Sequence, residues 1–296
     1  MSVIGLDVGG TTMKAAISEN SEVVAAESWP TDHTDPVAGI LGFAAHLTAR
    51  ASSLGSPAHA AGIVVPGIVD ESTGTAVYSA NLGWRNVPML HLARERLGIP
   101  VAIGHDVRAA GLAEAVLGAG RDAADFVFMA IGTGIAAALI VNNTPYPGAA
   151  GWSGEIGHVV VRPDGEDCAC GNKGCLETYA SAAAISRRYG ENVPAEEVIA
   201  RAEKNGDQKA EQIWSDALDT LADGLAATTL LVDPGLIIIG GGLAQAGEAL
   251  LNPLTPRLAD RLLFRPSPPL LLSKLDDQAA VKGATILANR LTQDDR

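Results

Sequence analysis

The longest apolar stretch of this chain, Phe126–Val141, is broken in its middle by Gly132-Thr133-Gly134. An unbroken run of about 20 apolar residues reads as a membrane span. A run split by a glycine turn reads as two strands, Phe126–Ile131 and Ile135–Val141. With Ala137 the turn also spells Gly-x-Gly-x-x-Ala, the pattern of a dinucleotide-binding turn. That motif requires a helix next. Here Ala136–Val141 ends in strand-favouring residues, and polar Asn142-Asn143 follows. A hairpin is favoured, and a dinucleotide-dependent oxidoreductase is the weakest reading.

The same arrangement opens the chain. Val3–Val8, Met13–Ser18 and Glu22–Glu27 read as three strands joined by short turns, the first of them glycine-rich. Helix and strand then alternate: a helix over Val37–Leu54, a strand over Ala61–Val65, a helix through Leu90–Leu97, a strand over Val101–Ile103 and a helix over His105–Leu117. The second half repeats the scheme. After its hairpin come a strand at His158–Val161 and helices at Thr178–Tyr189, Ala195–Lys204 and Lys209–Leu231. A strand at Leu236–Ile239, a helix at Glu248–Leu262, a strand at Leu270–Ser273 and a final helix at Ala280–Leu291 complete it. A strand meander followed by alternating helix and strand, twice over, predicts two α/β domains facing across a cleft. The boundary is expected near Gly118–Asp125, with the last helix returning to the first domain. Residues 1–118 plus 281–296 then form a smaller domain and 119–280 a larger one. Ligands of such folds favour crevices at strand ends and domain interfaces.

Charge narrows the partners. Lys+Arg 21 against Asp+Glu 34 gives −13, which argues against a nucleic-acid partner, since phosphate tracking needs a basic stripe. It equally disfavours an anionic membrane surface. A nucleotide remains a fitting ligand, because backbone N–H groups and Mg²⁺ can hold phosphates. Met1–Asp7 lacks the pattern of a signal peptide, so a soluble cytoplasmic protein is expected.

The glycine turns carry the first candidate chemistry. In Gly5-Leu6-Asp7-Val8-Gly9-Gly10-Thr11-Thr12, glycines let backbone N–H groups approach a phosphate. Asp7 could hold a Mg²⁺-bound water, and the hydroxyls of Thr11 and Thr12 could donate to phosphate. Lys14 is counted with this nucleotide-binding set. A simple hairpin with an incidental acid is the competing reading; a P-loop is excluded because no Gly-Lys-Ser/Thr follows. Gly132, Thr133 and Gly134 occupy the corresponding place in the second half. Gly240-Gly241-Gly242, between a buried strand and a helix, could pack on adenine or ribose or merely allow close helix–strand contact. The pairing of Asp7-x-Gly9-Gly10-Thr11 with Gly132-Thr133-Gly134 resembles the superfamily of sugar kinases, actin and heat-shock chaperones. That resemblance implies actin-like (ribonuclease H-like) domains whose two turns pinch a nucleotide tail.

Cys168, Cys170 and Cys175 crowd into eight positions, with His158 shortly before them. One His and three Cys fit a tetrahedral Zn²⁺ site with four protein ligands and no open position, hence a structural metal. Reduced core thiols beside an unrelated His are the alternative. Glu155-x-Gly157-His158 followed by Gly165-x-x-Cys168-x-Cys170-Gly171-x-x-Gly174-Cys175-x-Glu177 resembles the signature of the ROK family (repressors, open reading frames, kinases). With the glycine turns and the Asp106 region, the likeness covers essentially the whole chain. Repressors of that family carry a helix-turn-helix ahead of the fold. Here the phosphate turn begins at Gly5, so the resemblance implies a kinase.

Asp106 stands where a strand meets a helix, a place where an Asp is often only a cap. The resemblance gives it the role of the base that accepts the proton of a sugar 6-hydroxyl. It also implies sugar contacts from Gly67, Asn81, Glu155, His158 and Glu177, with His158 placing its other ring nitrogen on zinc. The family usually has Asn before this Asp, contacting sugar hydroxyls. This chain has His105, together with Arg108 where a small or amide residue is common. His105 is kept among the sugar-binding candidates, and the departure leaves the sugar open. The expected activity is transfer from Mg-ATP to the 6-hydroxyl of a hexose, glucose first. An amino-sugar kinase (N-acetylmannosamine, N-acetylglucosamine or another aminohexose), polyphosphate as donor, and a non-catalytic sugar sensor are the alternatives. A homodimer is implied by the resemblance.

Overall fold

In the computed structural model, which describes residues 2–20, 22–190, 193–204 and 206–293, the first apolar run is a strand, β1 (Ser2–Val8). Ile4, Leu6 and Val8 alternate onto one buried face and Val3 onto the other. A strand apolar on both faces belongs in the middle of a covered sheet, and β1 is the central strand of five.

β2 (Thr12–Glu19) and β3 (Glu22–Pro30) continue from it as an antiparallel meander. The helix α1 (Pro36–Ser53) starts where Asp35 accepts the Ala38 N–H and Pro36 stands at the first turn. It lays Ile40, Phe43 and Leu47 on the sheet. Each such side chain removed from water contributes about 1.5–3 kcal/mol. β4 (Ala58–Val65) adds parallel to β1. Three short strands, β5 (Ile68–Asp70), β6 (Thr75–Tyr78) and β7 (Arg85–Val87), form a separate antiparallel sheet. After α2 (Met89–Leu97), β8 (Val101–His105) pairs parallel with β4 and runs directly into α3 (Asp106–Leu117).

The second sheet is built the same way. β9 (Phe126–Ile131) and β10 (Ile135–Val141) form the expected hairpin, extended by β11 (Thr144–Pro145). The helices α4 (Glu177–Ala180), α5 (Ala182–Tyr189), α6 (Ala195–Glu203) and α7 (Gln208–Val232) follow. Then come β12 (Ile237–Gly240), α8 (Glu248–Ala259) and β13 (Leu270–Leu272). Val127, Met129, Ile131, Ile237 and Ile239 meet Trp214, Leu218, Leu221 and Leu225 of α7 and Leu250, Leu254 and Leu258 of α8 in one core. The last helix, α9 (Ala279–Gln293), packs Ala284 and Ala288 against the first sheet.

Strand orders are β3-β2-β1-β4-β8 and β11-β10-β9-β12-β13. The same permutation occurs twice, as in the actin-like, ribonuclease H-like α/β units. One unit comprises Met1–Ala113, Pro145–Ser153 and Gln278–Arg296, the other Glu114–Thr144 and Gly154–Asp277. Among the described residues no helix is long and apolar enough to cross a membrane.

Two local expectations are corrected. His158–Val161 is not a strand: Ile156–His158 is a short 3₁₀ turn, with only a single bridge from Val160 to Cys175. The His158 and Val159 N–H groups bond back to Glu155 and Ile156, so they cannot join a ladder. The helix expected over Thr178–Tyr189 breaks at Ser181, whose extended backbone lets its hydroxyl cap α5 by accepting the Ala184 N–H. The β5–β7 sheet escaped the sequence reading altogether.

Candidate functional site

In the first unit, Asp7 and Lys14 stand opposite each other in the β1–β2 ladder, an opposite-charge cross-strand pair. Beyond them the Gly9 N–H donates to the Thr12 carbonyl at 3.1 Å, and the Thr31 hydroxyl donates to the Gly9 carbonyl at 2.8 Å. A Cβ at Gly9 would lie 2.6 Å from the Thr12 oxygen, whereas one at Gly10 would meet nothing within 4 Å. Gly9 therefore serves the turn itself. Gly10, with exposed Thr11 and Thr12, leaves backbone open to a ligand.

Asp106 begins α3 at the end of β8, and its side chain is 25% exposed. Its Oδ1 accepts the Val107 N–H at 2.7 Å. His105, by contrast, is buried. Its Nδ1 accepts the Arg108 N–H at 3.3 Å, and its Nε2 lies 3.4 Å from Asp106 Oδ1. Burial, and then the Arg108 guanidinium, push the His105 pKa down to about 3, so the ring is neutral. Arg108, 2% exposed, has each of its three side-chain nitrogens donating: Nε to Glu71 Oε1 at 3.0 Å, Nη1 to the Gly151 carbonyl and Nη2 to the Val69 carbonyl, both at 3.2 Å. Glu71 Oε1 also accepts the His105 N–H at 3.0 Å.

Asn81 is exposed in the β6–β7 connection, followed by buried Leu82 and Trp84. Gly67 has φ +94°, and a Cβ on it would meet the Tyr78 carbonyl at 2.2 Å. It lets the β4–β5 turn close against the strand that leads to Asn81.

In the second unit, the Gly132 N–H donates to the Gly134 carbonyl at 2.9 Å, and the Ala182 N–H at the start of α5 donates to the Gly132 carbonyl at 2.8 Å. Glu177 Oε2 accepts the Ile135 N–H at 3.4 Å beside Gly134. Of the other glycine run, Gly240 lies against the Phe128 ring and Gly241 against the Ile131 backbone, while Gly242 faces open space.

The other oxygen of Glu177, Oε1, lies 3.7 Å from His158 Nδ1 and 3.7 Å from Cys168 Sγ. The ligand atoms of His158, Cys168, Cys170 and Cys175 all lie within 4.8 Å of one another. Cys170 and Cys175 Sγ are 3.7 Å apart, as are Cys168 Sγ and His158 Nδ1. Zn–S and Zn–N bonds at tetrahedral angles place such atoms about 3.8 and about 3.6 Å apart. The cysteines form no disulfide, and the donor set fits zinc. Burial pushes the Cys175 thiol up to about 12 and also raises Cys168, while the Asn172 N–H lowers Cys170. Metal binding must therefore release thiol protons. His158 Nε2 faces Glu155 Oε2 at 3.8 Å.

The structure thus gathers the expected residues into sets. His105 and Asp106 form one, in the first unit. Glu155, His158, Glu177 and the three cysteines form another, in the second, and Glu177 joins that set to the Gly132–Gly134 turn. Glu71 was missed by the sequence reading, and no motif marks it. Arg162 was missed too: it pairs with Asp223 on α7 at 2.5 Å while its carbonyl accepts the Gly165 N–H, anchoring the cysteine loop.

The family model of the ROK family matches residues 3–291. The chain is 34% identical to a glucokinase of Halalkalibacterium halodurans, over 88% of this chain and 89% of that one. It is 32% identical to a glucokinase of Thermotoga maritima, over 98% of each. A solved ROK family glucokinase from Streptomyces griseus, in complex with glucose and AMPPNP, superimposes with a TM-score of 0.83 at 28% identity, over 98% of this chain and 100% of that one.

Proposed function

The chain belongs to the ROK family, and from that premise we infer that it is a sugar kinase, transferring the γ-phosphoryl group of ATP to the 6-hydroxyl of a hexose, with glucose the favoured acceptor. The observation that carries this reading is the end-to-end likeness to glucokinases. Asp106 at the mouth of α3 supports it with a carboxylate of the right chemistry.

In this reading Asp106 accepts the proton of the 6-hydroxyl as that oxygen bonds to the γ-phosphorus. The bond from phosphorus to the bridging oxygen breaks, and its electron pair leaves with ADP. Gly9, Gly10, Thr11, Thr12 and Lys14 are assigned to the nucleotide phosphates, with Asp7 on Mg²⁺ through water. Gly132, Thr133 and Gly134 join them, and Gly242 is the open member of the Gly240–Gly242 run for the nucleoside. Gly67, Asn81, Glu155, His158 and Glu177 are assigned to sugar hydroxyls; carboxylates suit that role because each accepts from two hydroxyls. Zinc held by His158, Cys168, Cys170 and Cys175 would supply structural order to the loop. The reading also places the protein in the cytoplasm as a homodimer, which light scattering would report as twice the chain mass.

The test is ADP release from Mg-ATP across glucose, other hexoses, N-acetylhexosamines and unacetylated aminohexoses, repeated with polyphosphate as donor. Turnover is expected to be strongest with glucose and ATP. Silence of folded, zinc-loaded protein with every sugar and both donors would overturn the reading in favour of a sugar sensor.

A further inference from the structure

His105 stands at a position expected to touch sugar, yet its ring is buried and faces its own helix. Nδ1 accepts the Arg108 N–H, three residues on, which is the bond an N-cap side chain makes. A nitrogen that accepts carries no hydrogen, so in the neutral ring the hydrogen is on Nε2. That nitrogen is the one 3.4 Å from Asp106 Oδ1. The charged and titratable groups around the ring are Asp106 itself, Arg108 and Glu71, and Glu71 takes the backbone N–H of His105 rather than its ring. Val65, its partner on β4, is apolar.

We propose that His105 is a positioning residue for Asp106, capping α3 through Nδ1 while its Nε2–H holds the Asp106 carboxylate in place, and that it makes no contact with the sugar. This rests on the sugar-kinase reading for its kinetic consequence and on geometry alone for the rest. The physical logic is that one ring does two jobs which a carboxamide would have to divide. The side-chain oxygen of an Asn could cap the helix, but its short amide cannot also reach back to the carboxylate from a capping rotamer. The Arg108–Glu71 lock holds the backbone on which the ring is mounted, so the ring stays within 3.4 Å of the carboxylate. Sugar discrimination is left to the exposed loop of Asn81 and to the second unit's carboxylates.

Two measurements test it. Long-range ¹⁵N–¹H correlation on labelled wild-type protein should show His105 as the Nε2–H tautomer, unchanged from pH 8 to pH 5. Asp106→Asn should move the Nε2 proton resonance without changing the tautomer. In kinetics, His105→Asn should keep the sugar KM within about twofold while kcat falls roughly 10–100-fold, the scale of a misplaced reacting group. The double variant His105→Asn/Asp106→Asn should be no slower than Asp106→Asn alone, because the imidazole acts only through that carboxylate. A titration of His105 centred near pH 6–7, an Nδ1–H tautomer, or a large rise in sugar KM at constant kcat would each overturn the proposal. The last outcome would return His105 to the sugar pocket. If wild-type protein turns over no sugar, the kinase reading fails while the resonance data still decide the His105 assignment. The same data decide it if His105→Asn does not fold.

Discussion

The two units hold their reactive groups in opposite ways. In the first, Asp106 is mounted on a strand-to-helix junction fixed from within. Buried Arg108 ties Glu71, Val69 and Gly151 together, and buried His105 caps the helix. In the second, Glu155, His158 and Glu177 sit on or beside a stretch whose own regular structure amounts to one 3₁₀ turn and isolated bridges. There four side chains that could hold a metal bring their donor atoms within 4.8 Å of one another. The first lock is made by the chain's own buried side chains and needs no added ligand. The second, if it holds a metal, does so only with deprotonated thiols. A group that must keep one geometry throughout the reaction gains from the first kind, whereas a loop that must admit a substrate can use the second.

The largest expected effect tests whether the first lock serves chemistry at all. Asp106→Asn keeps size and capping ability but removes the base. It should lower kcat by about 10²–10⁴, or about 3–5 kcal/mol of barrier. ADP release by purified variant checks this, and near-normal turnover removes Asp106 from the mechanism. Next comes the lock itself. Arg108→Met fills much of the volume but leaves two buried carbonyls without their donor and takes one of two donors from Glu71 Oε1. Breaking a buried pair costs about 3–5 kcal/mol. Glu71 is partly exposed, so a loss of about 2–4 kcal/mol is expected for this site. Urea unfolding reads it. A change below about 0.5 kcal/mol, the scale of an ordinary surface substitution, would show that the lock is decoration.

For the second unit the matching experiment is to remove the ion. Chelation, or Cys170→Ser, should empty the site and raise the sugar KM by about tenfold, the lower end of what outer-shell disruption costs at metal sites. Metal analysis must confirm the loss. The His105 imidazole signals should not move, because no zinc ligand belongs to its unit. Unchanged KM in zinc-free protein would separate the cysteine loop from substrate binding, and a shift in His105 would break the contrast between the two locks.

How much of this was legible beforehand follows the same division. Strands with strict alternation, such as Ile4, Leu6 and Val8, were readable because burial on one face imposes a period of two. The hairpin around Gly132-Thr133-Gly134 was readable because glycines break an apolar run. The grouping of His158 with the three cysteines was readable because ligand chemistry restricts both residue type and spacing. His158–Val161 misled because β-branched residues there serve a bridge and a turn, not a ladder. The β5–β7 sheet was missed although the Asp70–Gly74 turn, in which Asp70 accepts from Ser72 and Thr73, is a hairpin signal. Glu71 was beyond reach: its partners at 105 and 108 are more than thirty residues away, and only the fold brings them together. His105 was noticed as a departure, but its direction could not be read from its type.

The last expected effect sharpens the contrast through acid. His105 is neutral in the folded protein, with its pKa lowered to about 3, whereas an unfolded histidine titrates at about 6.5. Between those values the unfolded chain binds one more proton than the folded one. Stability contributed by this group is therefore complete above about pH 6.5 and is lost as pH falls toward 3, by up to about 1.4 kcal/mol for each pH unit. The His105→Asn variant lacks the titrating group, so its stability should fall less steeply over the same interval. The α7 carboxylate Asp223 behaves differently. Burial would raise it, but hydrogen bonds from Arg162 and Arg261 prevail and hold it below the usual value. Its contribution is present above about pH 4 and fades only below that. Urea midpoints of zinc-loaded protein at pH 5.0, 6.0 and 7.5 should therefore diverge between wild type and His105→Asn, with Asp223 contributing equally to both. Parallel curves would mean that His105 accepts a proton in the folded state, and the lock in the first unit would then be as dependent on pH as the thiol cluster in the second.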